Sequence, residues 1–200
     1  IQAAKKSKYI DRIIVSTDCT DIASVAKTYG ADMPFMRPAE LAADDSSSID
    51  VLLHSIESVE DRYDYLVLLE PTSPLREVKD IDLAIEMLIN NSNNASSIVG
   101  VCQIEATHPA FSVKIKQDGL IEPYMGKGFQ PPRRQEIESL YFLEGTIYIS
   151  SINDLISKKT FYHEKTMTYI VPKWKSFEID DEVDMICCEA ILKKRNRNDF

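Results

Sequence analysis

Two carboxylates stand two residues apart in Ser176-Phe177-Glu178-Ile179-Asp180. On an extended backbone residues i and i+2 point to the same side, so Glu178 and Asp180 can converge on one cation. Oxygen-only ligation of this kind suits Mg2+, which takes one or two carboxylates and completes its shell with water and substrate phosphates. A local reading competes: Asp180 accepts from the free N–H groups that open the next helix, and Glu178 is solvated. Asp180 can also serve both roles.

A second constellation is Leu69-Glu70-Pro71-Thr72-Ser73-Pro74-Leu75-Arg76. Its two prolines favour an extended loop that presents the Thr72 and Ser73 hydroxyls in fixed directions to a polyhydroxylated or phosphorylated ligand. A plain turn that starts the next helix explains the same residues. Arg37 in Arg37-Pro38-Ala39-Glu40-Leu41 can pair with a phosphate or a base edge, or simply be solvated. Arg133-Arg134-Gln135 offers guanidinium forks for a carboxylate or phosphate, or a surface salt bridge. His54, His108 and His163 show no triad or zinc spacing and receive no catalytic role. Trp174 reads as a core or interface residue.

The elements that must position these residues follow from periodicity. Arg12 to Thr17 is a β-branched run that predicts a strand, and Asp21 to Tyr29 has helical apolar spacing closed by Gly30. Ser46 to Ser48 offer N-cap hydroxyls to a helix over Ile49 to Ser58, and Tyr65 to Leu69 reads as a strand buried on both faces. Val78 to Ile89 predicts an amphipathic helix and Ser97 to Ile104 another strand, so the first half alternates in the manner of a parallel, helix-flanked sheet. From residue 105 the rhythm changes. Phe111 to Lys116 and Leu120 to Tyr124 flank Gln117-Asp118-Gly119, a hairpin signal, and Gly126-Lys127-Gly128 with Pro131-Pro132 marks a polar loop. Residues 105–142 therefore read as an insert. Gly145 to Ser150 and Thr166 to Val171 predict strands around a helix over Ile152 to Ser157, and Asp181 to Lys193 a closing helix. In open α/β sheets ligands sit beyond the carboxyl ends of strands, which singles out Asp18, residues 37–48, residues 70–76 and residues 178–180.

Composition bounds the function. A chain of 200 residues with 44% hydrophobic content is read as one domain. Its net charge of -9 argues against a nucleic-acid or anionic-membrane surface, which needs clustered cations. No apolar run approaches the roughly 18 residues of a membrane span. Cys19, Cys102, Cys187 and Cys188 form no CxxC pair and read as reduced cytosolic thiols.

RIIVSTD at 12–18, RPAELA at 37–42 with Asp44 and Ser48 beyond it, LLEPTSPLR at 68–76, RRQ at 133–135 and GTIYI at 145–149 occur in the order found in acylneuraminate cytidylyltransferases. The chain resembles that family from end to end, with RPAELA followed by PTSPLR as the specific signal. The resemblance implies a Rossmann-like nucleotide-diphospho-sugar transferase fold of α/β class, mostly parallel, that couples CTP to a nonulosonic acid and releases pyrophosphate. It implies Mg2+ held by Asp180 with Glu178, cytidine contacts from Arg37 and the groups around Ser46 and Ser48, and a sugar pocket lined by Glu70, Thr72, Ser73, Tyr148, Phe161 and Tyr162. It also implies a cytoplasmic homodimer joined by the 105–142 insert, with Arg134 reaching the neighbouring subunit's sugar carboxylate.

Sialic acid enzymes of this family commonly carry Gln, Asn and Asp where Glu70, Glu144 and Glu178 stand. The acidic replacements point to a nonulosonic acid other than N-acetylneuraminate, legionaminic-like or bearing a basic substituent. The family's N-terminal strand and its triphosphate loop are expected before Ile1, and the 200 residues by themselves are expected to be weakly active or inactive. An enzyme for the eight-carbon acid Kdo, or a noncatalytic nucleotide-sugar-binding relative, are the alternatives.

Overall fold

The computed structural model describes residues 1–125 and 133–196. The Gly126-Lys127-Gly128 and Pro131-Pro132 loop signals lie outside them. In chain order the elements are α1 (Gln2–Lys6), α2 (Thr20–Thr28), α3 (Ser48–Glu57), β1 (Tyr65–Leu68), α4 (Val78–Asn90), β2 (Ser97–Gln103), β3 (Val113–Ile115), β4 (Ile121–Pro123), β5 (Tyr141–Ser151), α5 (Ile152–Lys158), β6 (Thr166–Ile170) and α6 (Glu182–Asn196). The main sheet has the order β1-β5-β2-β6. β2 and β6 pair in parallel, and β5 runs antiparallel to both β1 and β2. β1, β2 and β6 thus share one direction, and only β5 opposes it.

Alternation along the strands builds two cores, because successive side chains leave opposite faces of the sheet. Ile98, Ile147 and Ile149 face Ile81, Ala84, Ile85 and Leu88 of α4. Val99 and Val101 face the other way, towards Leu155 of α5, Phe161, and Ile49, Leu52 and Ile56 of α3. Helices therefore cover both faces. The buried positions 81, 84, 85 and 88 repeat at helical spacing, and each large aliphatic among them contributes roughly 2 kcal/mol by leaving water.

Several local expectations are corrected. Arg12 to Thr17 is not a regular strand: it is held by a parallel bridge from Ile14 to Asp32, with Asp32 N donating to Ile13 O at 2.7 Å. β1 is half-buried, being at the rim of the sheet rather than its middle. Ser47 occupies the N-cap of α3 without a side-chain cap bond, and Ser46 instead donates to Glu40 O at 3.2 Å. Gly30, at φ 83, ends α2 as expected, since only glycine takes that conformation without strain. Gly119 does the same in the β3/β4 hairpin at φ 81.

One buried network ties the C-terminal segment to α4. Lys175 is 1% exposed and donates to both carboxylate oxygens of Asp80 at 2.7 and 2.6 Å, and it pairs with Glu77 at 2.6 Å. Asp80 also accepts from Tyr169 OH at 2.9 Å and from Glu77 N at 2.8 Å, closing a capping box at the start of α4. Arg195 of α6 bonds Glu77 and lies over the Trp174 ring at 4.5 Å. Trp174 is thus a platform for cations at the joint between α4 and α6, and Lys175 anchors the chain immediately before Glu178.

Candidate functional site

The segment after β1 folds as two tight turns rather than one extended loop. Ser73 N donates to Glu70 O at 3.3 Å, and the Arg76 guanidinium reaches back to Glu70 O at 2.8 Å and across to Gly145 O at 3.3 Å and Thr146 O. Burial lowers the Arg76 pKa to about 10, which still leaves it charged at neutral pH. Ile179 N donates to Thr72 O at 2.8 Å. Segments 70–76, 145–146 and 178–180 are therefore stitched together through backbone carbonyls.

Arg37, Ser46, Ser48, Glu70 and Thr72 line one cleft of about 350 Å³, walled by Leu52 and Leu68. Arg37 is fixed there because its own N–H donates to Thr17 O at 2.9 Å and its guanidinium bonds Ser16. A cationic fork, hydroxyls and one carboxylate on an apolar floor is a donor set for a polar, phosphorylated ligand with an aromatic part. Asp18, also singled out by the loop rule, is exposed and is not among the lining residues.

Beside the cleft the carboxylates crowd. Glu178 accepts from Gly145 N. A Cβ at Gly145 would meet Glu178 Oε1 at 2.7 Å, Glu70 Oε2 at 2.7 Å and Ser73 Oγ at 2.8 Å, so the three groups occupy the space that this glycine leaves. Burial, and then the charges of Glu178 and Asp180, push the Glu70 pKa up, with Arg76 opposing. Asp180 is exposed, and the cap of α6 is its neighbour: Asp181 Oδ1 accepts from Val183 N at 2.8 Å and Asp184 N at 3.0 Å. The helix-capping role considered for Asp180 thus falls to Asp181, because the helix begins one residue later. Among the described residues no three carboxylate, imidazole or thiol groups meet as a metal cluster. The oxygen donors of Glu178 and Asp180 nevertheless fit a hard cation that keeps open positions for water and phosphate.

Glu144 lies deeper, 2% exposed, where the β2/β5 register shifts at Gly100. Its Oε2 accepts from Thr146 N at 3.1 Å and Thr146 Oγ1 at 2.5 Å, and its Oε1 fills the space a side chain at Gly100 would need. Burial raises its pKa to about 7, the Thr146 bonds and Arg76 pulling down and Glu178 pushing up. The unfolded chain releases this proton near 4.5, so between those values the folded state binds more protons and stability falls as pH rises, levelling above 7. Glu144→Gln is expected to leave stability near pH 4 unchanged and to raise it at pH 8 by on the order of 2 kcal/mol. Urea unfolding at several pH values checks this, and parallel profiles for the two proteins would refute the burial penalty.

Tyr148, Phe161 and Tyr162 form one aromatic group, with centroids 5.5 Å apart for Tyr148–Phe161 and 6.4 Å for Tyr148–Tyr162. Burial, then Tyr162 and Glu70, raise the Tyr148 pKa. Arg134 opens a 3-10 turn, Arg134–Glu136, and its side chain lies outside the described part. Sequence reasoning gave no role to Arg76, Gly145 or Lys175. Arg76 ends LLEPTSPLR and Gly145 opens GTIYI, but nothing in one sequence marks which carbonyls a guanidinium will reach.

A family model described as cytidylyltransferase matches residues 1–192. Post-translational flagellin modification protein B of Campylobacter coli is 31% identical over 197 residues, covering 96% of this chain and 82% of that protein. The CMP-N,N'-diacetyllegionaminic acid synthase of Legionella pneumophila is 31% identical over 198 residues, covering 96% and 83%. The N-acylneuraminate cytidylyltransferase of Escherichia coli is 29% identical, covering 98% of this chain but only 46% of that longer protein. Among solved structures, a CMP:2-keto-3-deoxy-manno-octonic acid synthetase complexed with CTP shares the fold with a TM-score of 0.70 at 14% identity, covering 97% of this chain and 86% of the other.

Proposed function

Since this chain belongs to the cytidylyltransferase family, we propose that it couples CTP to a nonulosonic acid of the sialic, legionaminic or related type, forming the CMP-sugar and pyrophosphate. The single observation that carries the reading is the gathering of Arg37, Ser46, Ser48, Glu70 and Thr72 around one cleft, with Glu178 seated next to it on Gly145. In this reading Arg37, Ser46 and Ser48 hold the cytidine part. Glu70, Thr72 and Ser73, with Tyr148 and Tyr162, face the sugar, whose anomeric hydroxyl attacks the α-phosphate as pyrophosphate leaves; Phe161, 4% exposed, is a core residue that backs Tyr148. Asp180 and Glu178 would hold Mg2+, which when bound neutralises charge on the phosphate oxygens. The protein's own task is orientation: Arg76 fixes the 70–76 turns on β5, so hydroxyls and carboxylates keep their places as charge moves.

A homodimer is part of the proposal. Ile115 is 78% exposed and Leu120 62%, and Val113, Ile121 and Tyr124 of the same hairpin, with Tyr141, Phe142 and Leu143 of β5, are also open to solvent. Side chains of this kind on the 105–142 insert favour burial against a second copy, which would bring Arg134 to a neighbouring site. A cytoplasmic setting suits four free cysteines and the use of CTP. No helix among the described residues is long and apolar enough to cross a membrane, and the net charge of -9 disfavours nucleic acid.

Glu70, an acidic residue that lines the cleft, supports a sugar other than N-acetylneuraminate, whereas Glu144 is buried against Gly100 and Thr146. Pyrophosphate release with CTP and Mg2+ is expected to be at least about 10-fold faster in kcat/KM with legionaminic-type or amino-substituted acids, a difference of roughly 1.4 kcal/mol in transition-state binding. Preference for N-acetylneuraminate would overturn the sugar assignment, and preference for Kdo would move the chain to the eight-carbon reaction. CTP binding by calorimetry without turnover of any acid would support a noncatalytic relative.

A further inference from the structure

Three oxygens from two distant segments of the chain meet over Gly145. Glu70 Oε2, Ser73 Oγ and Glu178 Oε1 lie 2.7, 2.8 and 2.7 Å from the one point where a side chain at 145 would place its Cβ. Carboxylates brought this close repel unless something positive stands between them. Arg76, the nearby cation, donates to the carbonyl oxygens of Glu70, Gly145 and Thr146. Ser73 points independently to the same place. It is 1% exposed, and its hydroxyl oxygen has no hydrogen-bond partner among the described residues although it points into the same space. Buried hydroxyls are almost always partnered, and the lone pairs of this one add a third hard oxygen beside two carboxylates for a cation to share.

We propose that Glu70, Ser73 and Glu178 form a divalent-cation seat above Gly145, so that the metal site assigned to Glu178 and Asp180 extends to the turns that follow β1. The proposal rests on the cytidylyl-transfer reading for the use made of the ion, but the seat is built by the protein alone. Three hard oxygen donors suit Mg2+ or Mn2+, and they leave positions free for water and for phosphate arriving from the adjoining cleft. Gly145 makes the seat possible in two ways. It leaves the volume into which the oxygens converge, and its N–H holds the Glu178 carboxylate from the sheet side. A bound ion would stand off from that point, away from the Gly145 Cα.

Titration of the whole chain with Mn2+, followed by the electron paramagnetic resonance of the free ion and with no nucleotide present, tests this directly. Wild type is expected to hold Mn2+. Glu70→Gln is expected to weaken it on the order of 10-fold and Ser73→Ala about threefold, with thermal unfolding checking that each variant is folded. Mn2+ affinities within twofold of wild type in both variants would overturn the seat. If Asp180→Asn alone weakened binding, the ion would belong to the 178–180 segment; the cytidylyl-transfer proposal would then stand while this one fell. A wild-type chain that takes up Mn2+ only with CTP would also overturn it. Failure of every sugar acid in the pyrophosphate assay with these affinities intact would instead sink the transfer reading and leave the seat standing.

Discussion

Gly145→Ala is expected to lower kcat/KM about 100-fold while leaving the unfolding midpoint within a few degrees of wild type. The added methyl meets three groups at 2.7 to 2.8 Å, and all three are side-chain ends, two of them on long, flexible arms. Such ends move aside at little cost to the fold. The same movement displaces Glu70 and Glu178, and a misplacement of about 1 Å in an oriented site costs on the order of 100-fold in rate. Steady-state kinetics paired with thermal melts separates the two effects. A variant that melts early and keeps its specific activity would show that the glycine serves packing alone. One that keeps both would show that the carboxylates need no fixed seat.

Lys175→Met is expected to cost about 3 to 5 kcal/mol of stability, and roughly 10 °C in Tm for a chain of this size, because it strands Asp80 as an unpaired charge that is 1% exposed. Surface ion pairs in this protein, such as Lys193–Glu189 at 2.6 Å with exposed side chains, give no comparable effect when broken. Adding Asp80→Asn to Lys175→Met is expected to cost less than Lys175→Met costs alone, since the stranded charge is then gone. Denaturant titration of the four proteins closes the cycle. A loss below about 1 kcal/mol for Lys175→Met would mean that water reaches Asp80, and the network would not be the anchor of the 176–180 segment.

The two variants mark where sequence reasoning stopped. Helices α2, α4 and α5 and the β3/β4 hairpin followed from apolar spacing, Gly30 and Gly119, because those signals are local: a few neighbouring residues set the backbone. The strand at Arg12 to Thr17 failed as a regular element for the opposite reason. Pairing needs a partner strand at the right distance, and β-branched residues alone do not supply one. The direction of β5 was likewise invisible, since a run such as GTIYIS has the same alternation whether its neighbours run with it or against it.

Residue types and order by themselves determined the family and the α/β class, and they singled out Arg37, Ser46, Ser48, Glu70, Thr72 and Glu178 as candidates for the site. Those are statements about local chemistry and motif spacing, carried by the chain without reference to space. Only the tertiary structure decided that Glu70, Ser73 and Glu178 share the space above Gly145, that Arg76 clamps three carbonyl oxygens, and that Lys175 rather than a surface charge holds the site's C-terminal arm. Each of those depends on contacts between segments tens of residues apart. Their distances and desolvation are set by how the helices pack on both faces of the sheet, a property of the packed whole that no local window contains.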